Sequence, residues 1–284
     1  MRLNPFNASN INVTGGGGGG FPGGAGGGVG CGTIVIALIA ALVFGVDPAA
    51  MLGGMQQAGP SPVQQGGGSR QSVQELCTAN AYANEACNAL SSLNETWEPA
   101  FAAANIPFRQ PTLVFYSGGT RSGCGNASSS MGPFYCPADQ GIYIDTSFYD
   151  QMQNQLGAGG DFARYYVMAH EYGHHIQTLT GVADAIRSAQ SQNPRAANQL
   201  QVRMELQADC YAGVWAGRNR NLIEPGDFEE GMTAASAIGD DALTGGRVSA
   251  ENFTHGTSAQ RSEALRLGMQ TGDDTVCDRY VQVR

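Results

Sequence analysis

The stretch His170-Glu171-Tyr172-Gly173-His174 decides the fold of this chain. Histidines at positions i and i+4 project from one face of a helix, where both rings can bind a single zinc ion. The glutamate beside the first histidine is placed to take a proton from metal-activated water and to pass it to a leaving amine. The spacing therefore predicts a catalytic metal helix. The alternative is a buried helix with polar histidines and no metal.

The residues around this motif are typical of a helix with one buried face. Asp161, which follows a glycine-rich turn, is the predicted N-cap, and Gly181 is the predicted residue beyond the C-terminus. Between them a core face recurs at helical spacing, formed by Phe162, Tyr166, Ala169, Gly173 and Ile176.

A catalytic zinc site needs a third protein ligand and one open position. A second helix, predicted over 195–217 after Asn193 and Pro194, carries Glu205 and Asp209 one turn apart on one face. We predict that Glu205 binds the metal and that Asp209 accepts the free N–H of a ligand histidine. The alternative is a solvent-exposed acidic pair, which the apolar and aromatic composition of this helix disfavours.

The residues after His174 exclude one class of zinc enzyme. Metzincins continue the motif with a glycine and a third histidine, but this chain has Gln177 and Thr180 at those positions. Two histidines and one glutamate are instead the ligand set of a gluzincin. His175 points about 100° around the helix from His174, so we interpret it as a surface or packing residue.

Longer blocks of sequence extend beyond the metal motif. They are 111–114 (PTLV), 132–140 (GPFYCPADQ), 170–175 (HEYGHH), 205–215, 238–241 (IGDD) and 254–261 (THGTSAQR). Through these blocks the chain, from about Thr112 to its C-terminus, resembles the bacterial neutral zinc metallopeptidases, a family of small membrane-anchored proteins. The resemblance implies a zincin-like fold and zinc peptidase activity, with His170, His174 and Glu205 as the metal ligands.

The predicted fold class is α+β: a mainly helical, zincin-like domain of gluzincin type with a small antiparallel sheet, preceded by one transmembrane helix. Two strands are expected, at 113–116 and 141–145. A peptidase commonly binds its substrate as an added strand at a sheet edge. We assign Ile142, Tyr143 and Ile144 to that edge; an ordinary core strand is the alternative.

Hydrolysis also needs a hydrogen-bond donor for the oxyanion that develops on the scissile carbonyl. His255 is the predicted donor, because it precedes a capping box, Thr257 to Gln260, that would hold it at a helix start. The alternative is that His255 only packs there. Arg261, about one turn into the same helix, is expected to pair with Asp209 or to support the same oxyanion.

The N-terminal part of the chain differs sharply in composition. We predict a glycine-rich flexible tail over 1–28, a transmembrane signal anchor over 29–46, a flexible linker over 47–71 and the metallopeptidase domain over 72–284. The 18 uncharged residues of 29–46 are just long enough to cross a hydrocarbon core of about 30 Å. A cleaved signal peptide is the rival interpretation, but its apolar region would closely follow a basic stretch. Arg2 would lie on the inner side.

Six cysteines follow the apolar segment, which suggests three disulfides in an exported domain, although six cysteines allow fifteen pairings. We favour the pairs Cys124–Cys136 and Cys210–Cys277, with Cys77–Cys87 by elimination. Disulfides persist in oxidising compartments. We therefore expect a single-pass protein of the bacterial cell membrane, with its catalytic domain on the extracytoplasmic side.

The net charge of −9 and the absence of a basic run argue against nucleic-acid binding. The sequence is best interpreted as a membrane-tethered endopeptidase with one catalytic zinc ion, Glu171 as general base and acid, and a peptide or protein substrate. Two alternatives remain: a zinc-binding envelope scaffold without turnover, and a zinc amidase acting on cell-wall crosslinks. The oligomeric state is left open.

Overall fold

The computed structural model describes residues 1–16 and 71–282. The helices are α1 (Val73–Cys77), α2 (Ala81–Ala103), α3 (Ser147–Leu156), α4 (Asp161–Leu179), α5 (Val182–Gln192), α6 (Ala197–Arg218), α7 (Asp227–Ala237), α8 (Asp240–Leu243) and α9 (Ser258–Thr271). The strands are β1 (Asn12–Gly15), β2 (Thr112–Phe115), β3 (Gly119–Ser122), β4 (Gly125–Ser128), β5 (Phe134–Cys136) and β6 (Gly141–Ile144). The prediction of a mainly helical domain with a small sheet is confirmed.

Local sequence signals set most of the helix ends that matter for the site. Capping boxes that start at Ser72 and Thr257 open α1 and α9, the second of them as predicted. Helix α4 begins at Asp161, but Gly160 rather than Asp161 is its N-cap. Gly181 follows the end of α4 in the left-handed conformation, with φ of 78°. The metal helix therefore has the predicted length.

The main sheet is mixed, so the prediction of an antiparallel sheet is wrong. Its strand order is β1-β2-β6-β5, in which β1, β2 and β6 run parallel and β5 runs antiparallel to β6. Side chains alternate between the two faces in both kinds of pairing. The pattern of apolar residues therefore did not reveal the strand directions. Strands β3 and β4 form a separate antiparallel hairpin.

Strand β6 lies inside the sheet. It pairs with β2 on one side and with β5 on the other, and all four of its residues are buried. The assignment of Ile142, Tyr143 and Ile144 to the substrate-binding edge is therefore wrong. Continuous burial is typical of a central strand that is covered on both faces. Near the metal helix, the edge strand is β5.

The first 16 residues belong to the folded domain, so the predicted flexible tail is wrong for this part. Strand β1 pairs with β2 from Asn12 to Gly15, and Ile11 and Val13 are buried in the main core. Arg2 donates its backbone N–H to the carbonyl of Leu222 at 2.8 Å. The glycine tract that follows conceals this short apolar segment in a composition profile. Because β1 and β2 share a sheet, both lie on the same side of any membrane, which contradicts the placement of Arg2 on the opposite side from the domain.

The rest of the predicted N-terminal organisation lies outside the described residues. This applies to tail residues 17–28, to the anchor at 29–46 and to linker residues 47–70. Within 1–16 and 71–282, no helix has both the length and the apolar character needed to cross a membrane.

Helix α6 packs closely against α4 on one side and α9 on the other, which places three functional helices side by side. A Cβ atom on Gly173 of α4 would lie 2.8 Å from the Cα of Ala208 in α6. A Cβ atom on Gly213 of α6 would lie 2.1 Å from the carbonyl oxygen of Leu265 in α9. Only glycine allows backbones to approach this closely. The side chains that α6 directs at its neighbours are therefore held at short range.

Three disulfides cross-link the part of the chain that the structure describes, and all three predicted pairings are confirmed: Cys77–Cys87, Cys124–Cys136 and Cys210–Cys277. The turn between α1 and α2 lies between Cys77 and Cys87 and brings them close enough to pair. The pair Cys210–Cys277 ties the C-terminal 3-10 segment to α6.

Candidate metal centre

The predicted ligands His170, His174 and Glu205 meet where α4 crosses α6. The Nε2 atom of His170 lies 3.1 Å from Oε2 of Glu205, and Nε2 of His174 lies 3.6 Å from the same oxygen. The two histidine side chains are 8% and 16% exposed, and that of Glu205 is 7% exposed. The three donor atoms form a group that could hold one metal ion.

The spacing of these atoms fits zinc. Tetrahedral zinc with bond lengths of about 2.0–2.2 Å places its ligand atoms roughly 3.3–3.6 Å apart. The two separations of 3.1 and 3.6 Å bracket this range. Two imidazole nitrogens and one carboxylate oxygen are also a donor set that catalytic zinc sites use, with a fourth position open.

Asp209 orients His170 as the sequence predicted. Its Oδ1 accepts a hydrogen bond from Nδ1 of His170 at 2.8 Å and another from the hydroxyl of Tyr166 at 2.6 Å. This leaves Nε2 of His170 as the atom that faces Glu205. The proton on Nδ1 therefore fixes the tautomer in which Nε2 can bind a metal.

Arg261 of α9 pairs with Asp209, one of the two roles expected for it. Its Nε and Nη2 atoms donate to the two carboxylate oxygens at 2.9 Å each, with both residues fully buried. Burial would raise the pKa of Asp209, but the charge of Arg261, followed by that of His170, outweighs burial and lowers it. Asp209 is therefore an ionised acceptor at neutral pH, held by a bidentate partner.

Gln177 performs the corresponding role for His174, and the sequence interpretation missed it. Its Oε1 accepts a hydrogen bond from Nδ1 of His174 at 2.9 Å. Its Nε2 donates to the carbonyl of Met204 at 2.8 Å and to Oε1 of Gln207 at 3.0 Å, which fixes the direction of the amide. The sequence feature that could have predicted this role is the position of Gln177, three residues after His174 on the same face of the helix.

Glu171 lies beside the ligands with its side chain buried. Burial raises its pKa, and the charges of His170 and His174 partly oppose that rise. The backbone N–H of Tyr135 in β5 also faces the carboxylate and acts in the same direction as the histidines. A carboxyl group with a raised pKa next to a metal site is typical of a general base.

His255 sits in a loop that Asp240 holds in place. One oxygen of Asp240 accepts backbone N–H groups from Thr254, His255 and Gly256 at 2.7–3.0 Å. The other lies 3.1 Å from Nδ1 of His255, so it accepts the ring proton. Burial would raise the pKa of Glu205, but the charge of His174 and the hydrogen bonds from both ligand histidines hold it well below its ordinary value. The role of His255 as an oxyanion donor stays a prediction.

His175 is a buried packing residue and not a surface one. Its Nε2 lies 2.6 Å from the carbonyl oxygen of Arg109, to which it donates, and its Nδ1 lies 3.1 Å from the hydroxyl of Tyr135. Burial lowers the pKa of His175 to about 4, so the ring is neutral at pH 7. Both of its ring nitrogens are used in contacts away from the metal ligands.

A second group of carboxylates is not a rival metal centre. Asp161, Asp227 and Glu230 lie close together at the start of α4. The α-ammonium group of Met1 contacts Asp227 at 2.6 Å and Asp161 at 3.0 Å. A cation of the chain itself therefore already lies among these carboxylates.

The fold and the site define a class of protein in which a helix carrying two histidines and a glutamate meets a third ligand from a second helix. The family model described as "Putative neutral zinc metallopeptidase" matches residues 5–280, and the chain belongs to this family. The match includes residues well before Thr112, where the sequence analysis places the start of the resemblance.

Relatives of the chain occur in distant bacteria. It is 42% identical over 281 residues to the uncharacterized protein YpfJ of Escherichia coli (strain K12). The alignment covers 96% of this chain and 93% of that protein. It is 38% identical over 261 residues to the uncharacterized protein Rv2575 of Mycobacterium tuberculosis (strain ATCC 25618 / H37Rv), with coverage of 84% and 85%. No solved structure matches the chain significantly.

Proposed function

We propose that this protein is a zinc-dependent endopeptidase of gluzincin type, with a zincin-like fold, that hydrolyses peptide bonds in peptide or protein substrates. One observation carries the proposal: the two ring nitrogens and the Glu205 carboxylate converge at zinc spacing, with Glu171 buried beside them. Membership of a zinc metallopeptidase family supports zinc as the metal. We assign one catalytic ion to His170, His174 and Glu205.

Glu171 is the general base and then the general acid. When bound, zinc supplies Lewis-acid chemistry, which polarises a scissile carbonyl and lowers the pKa of water. Glu171 takes the proton of the attacking water and later gives it to the leaving amine. Its raised pKa suits both steps, because a base that holds its proton more tightly accepts it more readily near neutral pH.

His255 donates a hydrogen bond to the oxyanion of the tetrahedral intermediate. Asp240 accepts the Nδ1 proton, so Nε2 donates to the oxyanion in the imidazolium form of the ring, whose charge the Asp240 carboxylate balances. The three backbone contacts of Asp240 keep the loop from moving when charge develops. A donor that is already oriented stabilises the transition state without a cost of reorganisation.

An extended substrate pairs with β5, the edge strand nearest Glu171. β5 pairs with β6 on one side, while on the other side the N–H of Tyr135 faces the Glu171 carboxylate. A peptide added as a strand at this edge would lie along the metal helix with its carbonyl close to the ligands. This position replaces the β6 edge that the sequence suggested.

The domain works in an oxidising compartment of the bacterial envelope, on the extracytoplasmic side of the cell membrane. The three disulfides support this location, because such bonds persist outside the reducing cytosol. The predicted anchor at 29–46 lies outside the described residues, and a single crossing there would separate β1 from β2, which pair in one sheet; it is therefore not part of this proposal.

The test compares the purified full-length protein with its Glu171→Gln and His170→Ala variants. We expect about one zinc per chain in the wild type and in Glu171→Gln, and loss of most of it in His170→Ala. Cleavage of unfolded, fluorescently labelled casein should be chelator-sensitive and should fall by about 10² or more in Glu171→Gln, because the proton acceptor is removed while the ligands remain.

Other outcomes would identify the alternatives. Unchanged cleavage by Glu171→Gln would show that this residue is not the base. Full zinc in the wild type without cleavage of casein or of peptides would favour a scaffold without turnover. Release of crosslink peptides from purified cell-wall fragments, with casein left intact, would favour a zinc amidase.

A further inference from the structure

The six residues His170 to His175 contain two interleaved pairs with a spacing of four. His170 and His174 form one pair, and Glu171 and His175 form the other. Residues four apart lie on the same face of a helix, one turn from each other. The first pair faces Glu205. The second pair lies about 100° around the helix from the first and therefore meets a different neighbour.

That neighbour is a single residue of the edge strand. The hydroxyl of Tyr135 lies 3.1 Å from Nδ1 of His175, and their rings are 5.5 Å apart in an edge-on arrangement. The backbone N–H of the same tyrosine faces the carboxylate of Glu171. Tyr135 therefore meets both members of the second pair, one through its side chain and the other through its backbone.

The direction of the Tyr135–His175 hydrogen bond is fixed by the other side of the ring. Nε2 of His175 lies 2.6 Å from the carbonyl oxygen of Arg109, which can only accept. Nε2 therefore carries the proton and Nδ1 is the acceptor for the tyrosine hydroxyl. The ring joins β5 on one side to the segment before β2 on the other.

Tyr135 is also the residue of β5 that a substrate would meet. In an antiparallel pair, residues alternate between those bonded to the neighbouring strand and those whose N–H and C=O point away from it. The N–H of Tyr135 faces Glu171, so its backbone groups point to the free edge. Phe134 and Cys136, on either side, have buried side chains that belong to a separate cluster with Tyr143.

We propose that His175 is a positioning residue, which holds Tyr135 and thereby the edge strand β5 at a fixed distance from Glu171. A peptide that pairs with Tyr135 is then placed in register with the general base and the metal ligands. The inference rests on the proposed peptidase function for its consequence in catalysis. The contact itself is independent of that function.

Two variants remove this hydrogen bond from opposite sides. Tyr135→Phe deletes the hydroxyl and keeps the ring. His175→Gln places an amide nitrogen at about the position of Nε2, which keeps a donor for Arg109 but removes the Nδ1 acceptor. Tyr143→Phe is the matched control, because it also removes a hydroxyl contact, to Asp139 at 2.7 Å, from the adjacent strand without a link to the metal helix.

The first measurement is amide hydrogen exchange of the zinc-loaded full-length protein. Tyr135→Phe and His175→Gln should each speed exchange in the 132–140 segment by roughly 5- to 100-fold, the range expected when one partner of a buried hydrogen bond is lost. Exchange in α4 and the zinc content should stay at the wild-type values. Tyr143→Phe should leave the exchange of Tyr135 at the wild-type rate. Wild-type exchange of 132–140 in both test variants would overturn the proposal.

The second measurement is peptide cleavage, with casein-derived peptides as the probe. Both variants should lose kcat/KM mainly through KM, because the affected groups bind substrate and do not transfer protons. The double variant should be no worse than the poorer single one, since both substitutions remove the same contact. Losses that multiply would overturn the proposal. If the wild type cleaves no peptide, the proposed function fails, and the exchange measurement still decides whether His175 positions β5.

Discussion

At the scale of single residues, the two ligand histidines are held by different chemistry. His170 donates to a buried carboxylate that carries its own arginine partner, whereas His174 donates to the neutral amide of Gln177. The amide of Gln177 cannot flip to exchange its oxygen and nitrogen, because its nitrogen donates to the carbonyl of Met204, the residue before ligand Glu205. Gln177 therefore fixes the tautomer of His174 and ties the metal helix to the helix of the third ligand.

Removal of this amide should weaken zinc binding without removing a ligand. Gln177→Met keeps the length of the side chain but leaves the Nδ1 proton of His174 without an acceptor. We expect zinc affinity to fall by about 10–100-fold, the usual cost of losing a group that orients a ligand histidine. Competition with a chelator of known affinity measures it. Gln207→Met is the control and should cost much less, since Gln207 contacts Gln177 and not a ligand. Equal losses in the two variants would contradict this role.

At the scale of elements, the site depends on how closely α9 packs on α6. This packing brings Arg261 to Asp209, and Asp209 to His170, across two helix interfaces. Gly213 lies at the closest point, where an added Cβ would be 2.1 Å from the Leu265 carbonyl oxygen. Contacts between distant parts of the chain therefore control the orientation of a metal ligand.

Gly213→Ala should destabilise the protein, although the same change in an open helix is stabilising. Alanine gains about 0.5–1 kcal/mol over glycine in a helix interior. Here the new methyl group must push the helices apart, which we expect to cost about 1–3 kcal/mol net. Urea unfolding gives the change in free energy, and Gln199→Ala, an exposed site on α6, should stay within about 0.5 kcal/mol of wild type. A stabilised Gly213→Ala protein would show that the helices can separate freely.

At the scale of the whole molecule, the N-terminal segment and the metallopeptidase domain form one folding unit. Strand β1 is added to the side of β2 opposite β6, and its buried residues join the main core. A segment far from the motif in the sequence is therefore part of the catalytic domain. Its stability is therefore coupled to that of the metal site.

Adjacent substitutions in β1 test this unit. Val13 is buried and Thr14 is exposed, since successive residues of a strand face opposite sides. Val13→Asp should lower the free energy of unfolding by at least about 2 kcal/mol, because a charge without a partner would enter the core. Thr14→Asp, the control, should change it by about 0.5 kcal/mol or less. A thermal unfolding curve of Val13→Asp that matches the control would mean that the domain folds without β1.

Short-range patterns in the sequence determined the chemistry of this protein. A spacing of four residues gave the predicted zinc ligands on α4 and the acidic pair on α6, and a spacing of three gave the capping boxes, because a helix repeats every 3.6 residues regardless of its surroundings. The disulfide pairs were also predicted from the sequence, from the positions of the six cysteines along the chain. Glu171 and His175 are also four residues apart, but the role of this pair could not be predicted without knowing which element packs against their face of α4.

Tertiary structure alone decided which strand lies at the sheet edge, that β1 joins the sheet, and that Asp240 holds His255 from 15 residues away. A strand shows the same alternation at the centre of a sheet and at its edge, and in parallel and antiparallel pairs. Strand order follows from the path of the whole chain. Nothing in the sequence around Asp240 indicates that its carboxylate orients the distant His255. Helical periodicity is local, whereas the pairing of strands and of buried charges is set by packing across the molecule.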